Sequence, residues 1–104
     1  MPMFTGKLME IKPQYTQIEK MIPLNSSMII LETPKGFPFE ESNLYQMDMT
    51  GTMIWKAERP EKGVFYSRVK LNEDGLSFSA YTTGGHACEL DLQTGKLISF
   101  SRMQ

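Results

Sequence analysis

The sequence predicts an all-β protein built from two four-stranded antiparallel units, on three observations. A Thr-Gly turn recurs at Thr5-Gly6-Lys7, Thr50-Gly51-Thr52 and Thr94-Gly95-Lys96, a spacing of about 45 residues that suits repeated β-blades. The residues ahead of the last two turns alternate apolar and polar with period two, as a half-buried strand does. No stretch combines helix periodicity with caps.

The elements follow in chain order. Residues 7 to 12 are expected to form an extra N-terminal strand. The first repeat, about residues 15–57, has strands near 15 to 22, 28 to 33, 43 to 49 and 52 to 57. Its second strand holds the apolar run Met28-Ile29-Ile30-Leu31. Its third places Tyr45, Met47 and Met49 on one side and Gln46 and Asp48 on the other. Met53-Ile54-Trp55 then returns, and Trp55 is expected in the core. Between the second and third strands, Thr33 to Ser42 is a long loop that breaks the symmetry, with room for one helical turn between Pro38 and Leu44. The second repeat, about residues 64–102, has strands near 64 to 71, 76 to 82, 86 to 92 and 96 to 102. Asn72-Glu73-Asp74-Gly75 has the residue types of a tight turn. In His86 to Leu92, Cys88, Leu90 and Leu92 share one face, and Glu89 and Asp91 the other. Leu97-Ile98-Ser99-Phe100 supplies the returning strand. The units pack as a partial propeller or a sandwich, and dimerisation could complete a four-blade ring.

At 104 residues the chain suits one domain, residues 1–104. The formal net charge of -1, a pI near 5.8 and the absence of any basic run argue against a direct contact with nucleic acid. Cys88, the single cysteine, has no partner for an internal disulfide, and Met1 to Gly6 lack the charged and apolar regions of a secretory leader. Both point to a reducing, cytoplasmic location. The longest apolar run, four residues at Met28–Leu31, is far below the roughly 20 that span a bilayer.

The segment ending in Leu90-Asp91-Leu92, then Gln93-Thr94-Gly95-Lys96-Leu97-Ile98, resembles the blade repeat of quinoprotein-like (PQQ-type) β-propellers. Tyr45-Gln46-Met47-Asp48 through Gly51 to Ile54-Trp55-Lys56 is a looser second match. The resemblance covers about residues 43 to 104. Two repeats and one strand fall short of the four to eight blades that close a propeller, and the adjacent cysteine pair of PQQ enzymes is missing, so no cofactor is expected. Short bacterial chains with such repeats look like immunity proteins encoded beside secreted toxins, including those of contact-dependent growth inhibition. The resemblance therefore implies a cytoplasmic immunity protein that binds and neutralises a cognate toxin domain by occlusion. The alternative is a non-catalytic, propeller-like scaffold or oligomeric adaptor.

Candidate chemistry is sparse. His86 and Cys88, two apart on one strand face, stand about 7 Å from each other, long for a nucleophile and its base, and two ligands do not complete a zinc site. Gly84-Gly85 suits a hairpin turn, not a phosphate loop. Asp48 and Asp91 suit side-chain caps of their own turns. Nine methionines suit gap-filling in the core. No catalytic or metal-binding residue is expected. The residues expected to bind a partner are Phe37 and Phe39, as aromatic anchors, with Glu40, Glu41, Glu73 and Asp74 as an acidic surface for a basic partner such as a nuclease toxin.

Overall fold

The computed structural model describes residues 11–103, which form eight strands and no helix. These are β1 (Ile18–Pro23), β2 (Ser27–Glu32), β3 (Leu44–Asp48), β4 (Met53–Lys56), β5 (Tyr66–Leu71), β6 (Ser77–Thr82), β7 (His86–Asp91) and β8 (Leu97–Arg102). They pair in chain order into two antiparallel meanders, sheet A (β1-β2-β3-β4) and sheet B (β5-β6-β7-β8). Each strand falls within three residues of its sequence-derived position. The Thr5-Gly6-Lys7 turn and residues 7 to 10 of the expected first strand lie outside the described residues, and Ile11 and Lys12 are irregular. The segment from Pro38 to Leu44 forms a β-turn and not a helical turn, closed by the N–H of Glu41 on the carbonyl of Pro38 at 3.0 Å. The backbone of Leu44 is already committed to β3.

The two sheets are repeats of one another down to their irregularities. Register shifts fall between Ile18 and Lys20 in sheet A and between Tyr66 and Arg68 in sheet B, and again between Gln46 and Met47 and between Glu89 and Leu90. Pairings of Ser27 with Asp48 and of Ser77 with Asp91 align the two copies, so Ile29 corresponds to Ser79, Leu31 to Tyr81, Tyr45 to Cys88 and Gln46 to Glu89.

Neither sheet closes on itself, and they pack face to face. Ile29, Leu31, Leu44 and Trp55 of sheet A meet Val69, Phe78, Ala80, Cys88 and Leu90 of sheet B in a single buried cluster. Trp55 stacks on Phe78 with ring centroids 5.4 Å apart and planes 2° from parallel. Its indole N–H, which burial would otherwise leave without water, donates to the carbonyl of Leu92 at 2.9 Å. Gln46 is buried at the same junction, donating to Leu92 O at 3.3 Å and accepting from Ser27 at 3.0 Å. Asn43 clamps the sheets together. Its amide donates to the carbonyls of Glu32 (2.7 Å) and Tyr66 (2.8 Å), while its oxygen accepts the N–H of Tyr66 at 2.8 Å.

Stacking two like repeats gives equivalent positions opposite fates. The face that sheet A turns to sheet B carries the apolar Ile29, Leu31, Leu44 and Trp55 around the bonded pair Ser27 and Gln46, but the same face of sheet B is the outside of the stack and carries Ser79, Tyr81, Glu89 and Ser99. There Asn72, Ser79 and Glu89 hold one another through bonds of 2.7–2.8 Å. A polar outer face is what terminates a stack of repeats. The far face of sheet A is apolar, with Met28, Ile30, Tyr45 and Met47, and the segment Gln14–Thr16 is fastened to it at Glu32.

Candidate functional site

The long β2–β3 loop and the β4–β5 connection, residues 57–65, meet at one end of the molecule and build a fixed aromatic surface. Phe37 is the buried root, 6% exposed, with edge-to-face contacts to Tyr15 at 5.0 Å and Phe65 at 5.9 Å. Two residues on, Phe39 is 60% exposed. The ring of Pro38 between them fixes its own φ. The Phe39 backbone is held by Arg59, whose Nη1 donates to Phe39 O at 3.0 Å and to Val64 O at 3.3 Å. The guanidinium also lies 6.0 Å from the Phe65 ring centre. The Phe39 ring rests against Gly63, where φ is +82° and a side chain would collide with the ring. The backbone of an exposed aromatic is thus pinned by a donor, and its ring lies on the bare backbone of Gly63.

Of the acids beside it, Glu40 is exposed and has no ion pair among the described residues, whereas Glu41 is paired with Lys56 at 2.6 Å. Glu61, at the same end, accepts from Arg102 at 3.1 Å and approaches His86 Nε2 at 3.4 Å. Arg102 first, then His86, hold its carboxyl below the usual range. Glu73 and Asp74 sit elsewhere, in the β5–β6 turn at the opposite end of β5, which spans about 17 Å at 3.3 Å per residue. Asp74 caps its own turn, accepting the N–H of Leu76 at 2.8 Å and of Ser77 at 3.0 Å. Those bonds, led by Leu76, lower its carboxyl. The six residues singled out in the sequence therefore divide into Phe37, Phe39, Glu40 and Glu41 at one end and Glu73 and Asp74 at the other.

His86 and Cys88 are both buried in sheet B. Nδ1 of His86 faces the Thr82 hydroxyl at 2.8 Å, and that hydroxyl also accepts the N–H of His86 and of Gly84, tying off the β6–β7 hairpin. Burial pushes the Cys88 thiol up, which suppresses the thiolate a nucleophile requires. Asp48 and Asp91 cap the Thr-Gly turns, accepting the N–H of Thr50 and of Thr94 at 2.9 Å. Among the described residues, no group of three His, Cys, Asp or Glu side chains is placed to hold a metal ion, and no helix is long and apolar enough to cross a membrane.

A groove of about 650 Å³ runs between β1 and β5, with Leu31, Val69 and Ala80 at its floor and Lys20, Arg68 and Lys70 on its walls. It includes none of the six predicted residues. Lys20 donates to the carbonyl of Val69 at 3.2 Å and spans the gap between the sheets; cations on edge strands also keep foreign strands away.

Two residues that shape the site, Arg59 and Glu32, carry no motif in the sequence. Nothing in the sequence around Arg59 says that its guanidinium will fasten the backbone of Phe39, 20 residues away. Glu32 follows the apolar run Met28–Leu31 directly. Its one legible signal was phase, since it sits two residues after Ile30 and so on the same face of β2. Comparison with protein-family models, with curated proteins and with solved structures gave no match.

Proposed function

We propose that this protein acts by stoichiometric binding of another protein, as a cytoplasmic immunity protein that occludes a cognate bacterial toxin domain of the contact-dependent growth inhibition type. The observation carrying the reading is Phe39, exposed yet fixed by Arg59 and Gly63. A rigid aromatic at a surface loses little conformational freedom on binding, which is the property of an interface anchor. Glu40 beside it favours a basic partner, such as a nuclease. The blade-like repeats support the immunity reading by resemblance alone. Phe37 belongs to the site as its buried support, not as a contact. Glu73 and Asp74 enter the same interface only if the partner reaches around β5.

The test is co-expression with the toxin domain encoded beside the gene, followed by binding kinetics at two salt concentrations. Phe39→Ala is expected to speed dissociation by tenfold or more, on the scale of a hot-spot residue at about 2 kcal/mol. Glu40→Lys is expected to slow association and flatten its salt dependence, and Glu73→Lys to do the same only for a partner that spans both ends. Absence of a complex with any neighbouring gene product overturns the immunity reading. It then favours a scaffold or oligomeric adaptor, for which the open edge of β8 is the relevant feature.

A further inference from the structure

Among the described residues the two sheets have four edges, and three carry the features that stop a strand from pairing with another chain. β1 has Glu19, Lys20, Pro23 and a register shift; β4 is four residues long and ends in Lys56; β5 has Arg68, Lys70 and a register shift. In β8 the residues from Leu97 to Ser101 are uncharged, and the register shift is confined to its start. Ile98 and Phe100 are 59% and 50% exposed. Among the described residues its edge-facing backbone is open as well beyond Leu97, whose N–H is taken by Glu58. Met103 N–H reaches Gly85 O at 2.7 Å, which sets the phase of the β7–β8 ladder. By alternation, Ser99 and Ser101 bond to β7, while Phe100 and Arg102 turn their N–H and C=O groups to the free edge.

We propose that β8 is a dimerisation strand whose occupant is β8 of a second copy of this chain, joining two copies of sheet B into one eight-stranded sheet across a two-fold axis. The strand is self-complementary. With Phe100 opposite Phe100, Ile98 meets the aliphatic stem of Arg102 and Ser99 meets Ser101, and no like charges oppose each other. Charge favours the same register. Glu58 accepts the N–H of Leu97 at 2.8 Å, which places an acid at the start of β8, where Arg102 of the other copy arrives. Symmetry makes that pair twice. The present Arg102–Glu61 pair is exposed, so exchanging it costs little. The pairing needs no toxin and does not rest on the function proposed above.

Sedimentation of the isolated protein over a range of concentrations is expected to give the mass of two chains. Ile98→Lys with Phe100→Lys should reduce it to one chain at unchanged circular dichroism, with a melting temperature that no longer depends on concentration, whereas Leu76→Lys, which removes an exposed apolar residue from a turn, should leave the dimer. Where the lysine variant fails to fold, cysteine cross-linking decides. An oxidised mixture of Ser99→Cys and Ser101→Cys chains should form a disulfide-linked dimer, and neither variant alone should do so. A one-chain mass for the wild type at every concentration, a dimer that survives both lysines, or a mixture that does not cross-link would overturn the proposal; the first would leave β8 open to a strand of a foreign partner.

Discussion

Glu32 holds an ionised carboxylate at a site with no exposure to water. It accepts the N–H groups of Gln14 (2.6 Å), Tyr15 (3.1 Å) and Thr16 (2.9 Å) and the hydroxyl of Tyr45 (2.5 Å). Burial alone would raise its pKa, and these donors, led by Thr16 and Tyr45, more than reverse that, so it titrates below its ordinary 4.5. A lowered folded-state pKa gives stability that is complete above the ordinary value and is lost as pH falls through the lowered one. Glu32→Gln is therefore expected to cost about 1–3 kcal/mol at neutral pH and to flatten the acid limb of a stability–pH curve measured by urea unfolding. Gly95 is constrained twice, by a φ of +75° and by the Trp55 ring, to which a Cβ would come within 2.6 Å. Gly95→Ala should cost about 1–3 kcal/mol or more and shift the emission of Trp55, the single tryptophan. Cys88, buried and with its thiol raised, should resist alkylation until the protein unfolds, which a thiol titration with and without denaturant would read.

At the scale of elements, each repeat is a meander whose last hairpin is closed by an aspartate, a threonine and a positive-φ glycine: Asp48, Thr50 and Gly51, then Asp91, Thr94 and Gly95. The Asp48 carboxyl is lowered chiefly by the Thr50 hydroxyl, the signature of a side chain serving its own turn. β4 is short and has one buried side chain, Trp55, so its attachment depends on the stack with Phe78 and the bond to Leu92. Trp55→Ala is expected to cost about 3–5 kcal/mol, visible as a clear fall in melting temperature. An unchanged melting temperature would move Trp55 out of the core.

Across the whole molecule, repetition is broken by position in the stack. Leu31 and Tyr81 are equivalent in register, yet Leu31 is 2% exposed between the sheets and Tyr81 is 41% exposed outside. Leu31→Ala is expected to cost about 2–5 kcal/mol and Tyr81→Ala within about 0.5 kcal/mol, both read from urea midpoints. A third sheet packed on the outside of sheet B would make the two costs alike.

Strand periodicity, turn chemistry and the repeated Thr-Gly motif are local properties, and they carry the eight described strands, their grouping into two four-stranded units and the internal placement of Trp55. They are legible because alternation at period two and the demand for a positive φ act over a few residues. They also placed Phe37, Phe39, Glu40 and Glu41 in one loop. What the local pattern could not carry was the environment of each repeated face, since Gln46 and Glu89 hold the same place in their strands and differ only in whether a sheet lies over them. Nor could it separate Phe37 as a buried support from Phe39 as an exposed tip, or set Glu73 and Asp74 at the far end of β5. Those outcomes depend on Arg59, Asn43 and Glu32 reaching groups up to 23 residues away, and such long-range bonds leave no period in the chain that makes them.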